Sequence, residues 1–124
     1  ISKAGAVADF GKNTMGTARE AVLLNGWANS DPQLHAPAGY LKDSEGIVHL
    51  FGTIRGGETA PGTQLFLLPI GYSPPQPIRL PALAFDDHAH GTAVILITPG
   101  GNVYLESGDV SGHLSLDGIS FPAK

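Results

Sequence analysis

The chain has 124 residues, a formal net charge of -4 and no cysteine. That length is one domain around a single core; the lack of thiols excludes disulfide scaffolds, thiolate zinc sites and cysteine nucleophiles. Seven Lys plus Arg, scattered singly, supply no cationic groove for a nucleic acid, and the longest apolar run, Ala93-Val94-Ile95-Leu96-Ile97, is far short of a membrane span.

Residues 1–18 carry Ala, Gly, Thr and Lys with little periodicity and read as a connector or the end of a stalk, leaving 19–124 as the folded β-domain. They lack the basic and apolar regions of a signal peptide, and a chain that opens on Ile1 is expected to be a piece of something longer. Residues 20–28 are expected as a strand. The capping-box spacing of Thr17-Ala18-Arg19-Glu20 offers a helix instead, which Asn25-Gly26 would cut to two turns. Residues 29–37 form a loop marked by Ser30-Asp31-Pro32 and Ala36-Pro37. A hairpin follows, with strands at 39–42 and 47–55 around Asp43-Ser44-Glu45-Gly46. A strand at 64–68 stops at Pro69. The strand at 78–85 contains Pro81, which implies a free edge or a bulge there. A polar loop at 86–91, strands at 92–98 and 103–107, and a last strand at 114–121 complete about eight strands. That spacing is expected of an antiparallel sandwich or barrel of jelly-roll type.

Along 47–55, Val48, Leu50, Gly52 and Ile54 share one face and make a core stripe at period two. The other face, Ile47, His49, Phe51, Thr53 and Arg55, is too apolar to be fully wet, and residues 93–97 are apolar on both faces. Either a second chain or a loop of the same chain is expected to cover them.

Asp86-Asp87-His88-Ala89-His90 is the cluster that carries chemistry. On a strand, His88 and His90 at i and i+2 would point to one face and chelate a metal, although two imidazoles do not close a site. Asp86 and Asp87 supply hard oxygen ligands for a sugar or calcium, or the segment is a solvated turn. Trp27 is either a sugar-stacking platform or a core residue, and Tyr40, Tyr72 and Tyr104 admit the same two readings. His49, between Ile47 and Phe51, reads as a packed histidine; His35 and His113 read as rim residues, and Asp117-Gly118 as a turn or bulge. No Gly-x-Ser-x-Gly elbow, His-Glu-x-x-His helix or phosphate-binding glycine loop is present.

Four phrases stand in fixed order: Leu24-Asn25-Gly26-Trp27; Tyr40-Leu41-Lys42-Asp43 running into Gly46-Ile47-Val48-His49-Leu50-Phe51-Gly52; Leu67-Leu68-Pro69-Ile70-Gly71-Tyr72-Ser73-Pro74-Pro75; and Leu114-Ser115-Leu116-Asp117-Gly118-Ile119-Ser120-Phe121. Together they resemble the C-terminal receptor-binding head domain of tailed-bacteriophage tail fibres, over roughly residues 20–122. The resemblance implies a homotrimer on the virion tail that binds a bacterial surface carbohydrate or another cell-wall polymer, without catalysis or cofactor. A structural trimerisation cap is the alternative, and further off stands a tailspike depolymerase or esterase that would pair Asp86 with Glu106 or Asp109. Three chains around an axis would bring together six imidazoles from His88 and His90, an arrangement similar to the iron-binding His-x-His tips of some phage spikes. Related sequences tend to be short where this chain carries 86–90. The resemblance transfers no binding residue and makes Trp27 look architectural. The inserted loop makes Asp86, Asp87, His88 and His90 the first candidate ligand site, followed by Glu106 and His113 as polar residues near the adjacent turns, with Tyr40 and Trp27 as candidate platforms by residue type.

Overall fold

A computed structural model describes residues 17–108, 110 and 112–124. The connector expected at 1–18 lies, but for its last two residues, outside them, and so does Asp109. Every regular element among the described residues is a strand: β1 (Arg19–Glu20), β2 (Ala28–Asn29), β3 (Gly39–Lys42), β4 (Ile47–Phe51), β5 (Thr53–Arg55), β6 (Thr63–Leu67), β7 (Ile78–Phe85), β8 (His90–Ile97), β9 (Asn102–Ser107), β10 (His113–Ser115) and β11 (Ser120–Pro122). They form two antiparallel sheets, ordered β1-β3-β4-β11 and β2-β5-β10-β7-β8-β9-β6. The expected all-β sandwich is what the chain builds.

Alternation explains which faces meet. In β4, Val48 and Leu50 are buried while Ile47, His49 and Phe51 are half-exposed. In β8, Ala93, Ile95 and Ile97 are buried while Val94 and Leu96 are half-buried on the outer face. The two inner faces close one core, in which Tyr40 of the small sheet stacks on Phe66 of the large one at 6.4 Å between centroids.

Eleven strands stand among the described residues where about eight were expected, because three expected strands each split in two. The first split comes at Asn25-Gly26, both left-handed (φ 57° and 83°), where the Trp27 N–H returns to the Leu24 carbonyl. Only the ends of 20–28 pair, as β1 and β2, and neither the long strand nor the alternative helix forms. The other two splits make one corner. The chain leaves the small sheet at Gly52 and enters the large one as β5; it leaves the large sheet after β10 and re-enters the small one as β11. The two crossings are bonded together. The Gly52 N–H donates to Asp117 Oδ1 at 2.8 Å, and the Leu116 N–H donates to the Gly52 carbonyl at 2.8 Å. Gly52 has φ 99°, and a Cβ there would lie 2.6 Å from both Cα and N of Ala38. Only glycine makes this bend.

Pro81 meets the expectation of a free edge. β10 pairs with β7 only over Leu83 to Phe85, so the first five residues of β7 have β8 on one side and no other described strand on the other.

Candidate functional site

The registers of four adjacent strands set Arg55 of β5, His113 of β10, Phe85 of β7 and His90 of β8 side by side. Their chain neighbours Ile54, Leu114 and Ala84 are buried in the core. Side chains alternate along a strand, so the row stands on the outer face of the large sheet. Its rings form a ladder: His113 and Phe85 are 5.0 Å apart and 14° from parallel, Phe85 and His90 6.4 Å and 29°.

The loop after β2 delivers a third imidazole to this row. Asn29 Oδ1 accepts the Ala38 N–H at 2.8 Å, and the Ala36 carbonyl accepts the Thr53 N–H, which lays the loop along β5. Asp31 closes a turn inside it, its Oδ1 accepting the Gln33 N–H and its carbonyl the N–H groups of Leu34 and His35. The His35 ring thereby lies 5.9 Å from Phe85 and 5.7 Å from His113. Its Nδ1 shares a 2.9 Å hydrogen bond with Ser30 Oγ, from a residue 4% exposed, so the ring orientation is held. His113 Nδ1 is buried without a hydrogen-bond partner among the described residues.

The hairpin joining β7 to β8 borders the row. Asp86 Oδ1 accepts the N–H groups of His88 (2.8 Å) and Ala89 (2.9 Å), and the Asp86 N–H donates to the Ala89 carbonyl, so this carboxylate shapes the turn. Asp87 and His88 are exposed at its tip, and His90 opens β8. Gly112 fits against the base of the hairpin: a Cβ there would lie 2.6 Å from the Phe85 carbonyl oxygen and 2.8 Å from Asp86 Cβ. Among the described residues no three His, Cys, Asp or Glu side chains converge as a metal cluster.

The structure thus brings His90 and His113 together through Phe85, with Asp86, Asp87 and His88 alongside, and places the other candidates elsewhere. Glu106 sits further along the ribbon, held by Arg79 Nε at 2.6 Å; that hydrogen bond, then the opposite charge, raises the Arg79 pKa. At roughly 3.4 Å per residue, its place beside Val94 and Ile95 is about 15 Å from the His90 end, so the carboxylates of Asp86 and Glu106 do not form a close pair. Trp27 is 5% exposed, its Nε1 donating to the Glu58 carbonyl at 3.1 Å and its ring lying against Gly57. Tyr40, 8% exposed, packs on Phe66 and edge-on to Tyr72. Both rings are core elements in the chain, so neither offers an open face for stacking. Sequence reasoning missed Arg55 and Phe85 and read His35 as rim; register and a folded-back loop assemble the three, and no local spacing signals that.

The row lies at one end of the domain. Arg19, in the first described strand, sits over the Tyr72 ring (5.6 Å to the centroid), and the adjacent Ser73 Oγ donates to the Pro99 carbonyl in the β8–β9 turn. The β7–β8 ribbon starts at that end, where Ile78 pairs Ile97, and finishes where Phe85 pairs His90. Seven residue steps of about 3.4 Å separate the two ends by about 24 Å.

No family model matches this chain, and no curated protein matches its sequence. Its fold is similar to the crystal structure of the receptor binding protein of Listeria phage PSA. The TM-score is 0.75, over 93% of this chain and 69% of that one, at 19% sequence identity.

Proposed function

We propose that this chain is the host-recognition head of a phage or prophage-derived tail fibre, that it works as a homotrimer, and that it binds a bacterial surface glycan without catalysis. The observation that carries the reading is the likeness of fold to a phage receptor binding protein over 93% of the chain. Two features support it. The row of Arg55, His113, Phe85 and His90 lies about 24 Å along the ribbon from the end that Arg19 occupies, on the side a fibre tip would present. The outer face of the large sheet also carries Leu83, Val94 and Leu96, apolar side chains suited to cover by a neighbouring copy. Weak contacts repeated on three copies would add up to firm attachment.

The test is sedimentation of the purified chain with cell walls from Listeria and from other Gram-positive bacteria, before and after periodate oxidation of their sugars, with light scattering of the free protein alongside. Retention on a subset of walls that periodate abolishes, and a mass three times 12.8 kDa, are expected. Retention that survives periodate would overturn the glycan, a monomer would overturn the trimer, and a chain held by no wall would overturn the recognition role.

A further inference from the structure

We propose that the row Arg55–His113–Phe85–His90, capped by His35, is a binding site for a saccharide that carries an anionic group, a carboxylate or a phosphate. This rests on the recognition reading above and names the site and the ligand chemistry for it.

The chemistry of the row is mixed in an ordered way. A neutral imidazole offers one donor and one acceptor, which matches a sugar hydroxyl that is itself both. His35, His113 and His90 gather on one face. The Nδ1 of His35 is taken by Ser30 and that of His113 is buried, so those two rings have only Nε2 left to meet a ligand. Phe85 between them gives an apolar ring for sugar C–H surface. His35 and His113 are pre-set by packing, and Ser30 fixes the first of them, so little rotamer freedom is lost on binding. The buried Nδ1 of His113 has no partner among the described residues. Buried polar atoms are normally satisfied, which makes His113 the ring of the row whose hydrogen bonding is incomplete.

Arg55 sets the charge. It is exposed beside His113 and makes no ion pair with a carboxylate among the described residues. A guanidinium fork is suited to bidentate contact with carboxylate or phosphate oxygens. The nearby Asp86 and Asp31 direct Oδ1 to backbone N–H groups of their own turns. Three strand spacings of about 4.8 Å make the row about 14 Å long, enough for more than one sugar ring.

The experiment follows the imidazole resonances of the labelled full chain by NMR during titration with glucuronate, glucose 6-phosphate, glucose and inorganic phosphate. Glucuronate, glucose 6-phosphate or both should move the signals of His35, His90 and His113 and leave that of His49 in place; whichever acts identifies the anionic group. Arg55→Gln should weaken binding about tenfold or more. Arg19→Gln, which removes the same charge at the other end, should leave it unchanged. Urea midpoints read from Trp27 fluorescence establish that both variants are folded.

Absence of shifts with either anionic sugar overturns the proposal. So does an equal response to phosphate alone, which means an adventitious ion only, or to glucose, which removes the anionic requirement. An equal loss in Arg19→Gln would reduce the effect to overall charge. Retention on cell walls without an imidazole response would overturn this site and leave the recognition reading standing; the reverse pattern would do the opposite.

Discussion

Replacing Gly52 by alanine tests whether the corner between the sheets holds the fold together. Two costs follow from the geometry. A φ of 99° lies where a side chain is strained, which costs about 1–3 kcal/mol. The new Cβ would also lie 2.6 Å from backbone atoms of Ala38, which cannot rotate away, and overpacking of this kind costs about 1–3 kcal/mol. Stiffening of the unfolded chain returns about 0.4–1 kcal/mol. The net loss is about 1–6 kcal/mol, a large part of the roughly 5–15 kcal/mol available to a domain. Urea unfolding followed by fluorescence of the buried Trp27 should show the midpoint falling by about 1–3 M, or no folded baseline. Gly118→Ala is the control: its φ of 86° is also strained, but a Cβ there meets nothing within 4 Å. Only the strain cost applies, and the difference between the two variants isolates the close approach. If Gly52→Ala is no worse than Gly118→Ala, the corner argument is wrong.

Asp117→Ala removes the acceptor of the Gly52 N–H and should cost about 1–3 kcal/mol in the same assay; its effect should be non-additive with that of Gly52→Ala, since both act on one corner. Trp27→Phe keeps a ring but loses the bond to the Glu58 carbonyl, for a loss of about 1–3 kcal/mol by circular dichroism melts; Trp27→Ala should lose about 3–5 kcal/mol, and an unchanged melt would contradict the core assignment. The Asp43 carboxylate accepts a 2.9 Å hydrogen bond from His49 Nε2 and N–H bonds from Ile47 and Glu45; the first of these, most of all, lowers its pKa below the ordinary 3.8. A depressed carboxylate stabilises fully above the unfolded value and loses that contribution as pH falls through the folded one. The gap in melting temperature between the wild type and Asp43→Asn should therefore narrow below about pH 4, and a gap that widens there would refute the assignment.

The pattern of apolar runs between turn residues was enough to find β3, β6, β7, β8 and β9, because each stays in one sheet. It failed at 47–55 and 114–121 for a physical reason. Val48, Leu50 and Ile54 keep the same parity through the bend, so the core stripe runs on while the backbone changes sheets. The signals that mark the corner are Gly52, read as one more core-face position, and Asp117-Gly118, read as a turn. The candidate site was legible only where it is local. The hairpin at 86–90 and His113 were visible in the sequence, whereas Arg55, Phe85 and His35 join them through register and a returning loop. The burial of Trp27 and Tyr40 likewise depends on which loop lies over them, and alternation does not encode that.

The flank of β7 that no described strand covers bears on how copies of this molecule can meet. An unpaired strand edge is a template on which a strand of another molecule can be laid, and that route leads to swapped or fibrillar assemblies. Pro81 removes a backbone donor from the middle of this flank, so a ladder started there meets a gap. Copies held close together are thereby steered away from merging into one continuous sheet. Their contacts fall to side chains, which read shape and charge, so an assembly built from them can be finite in number.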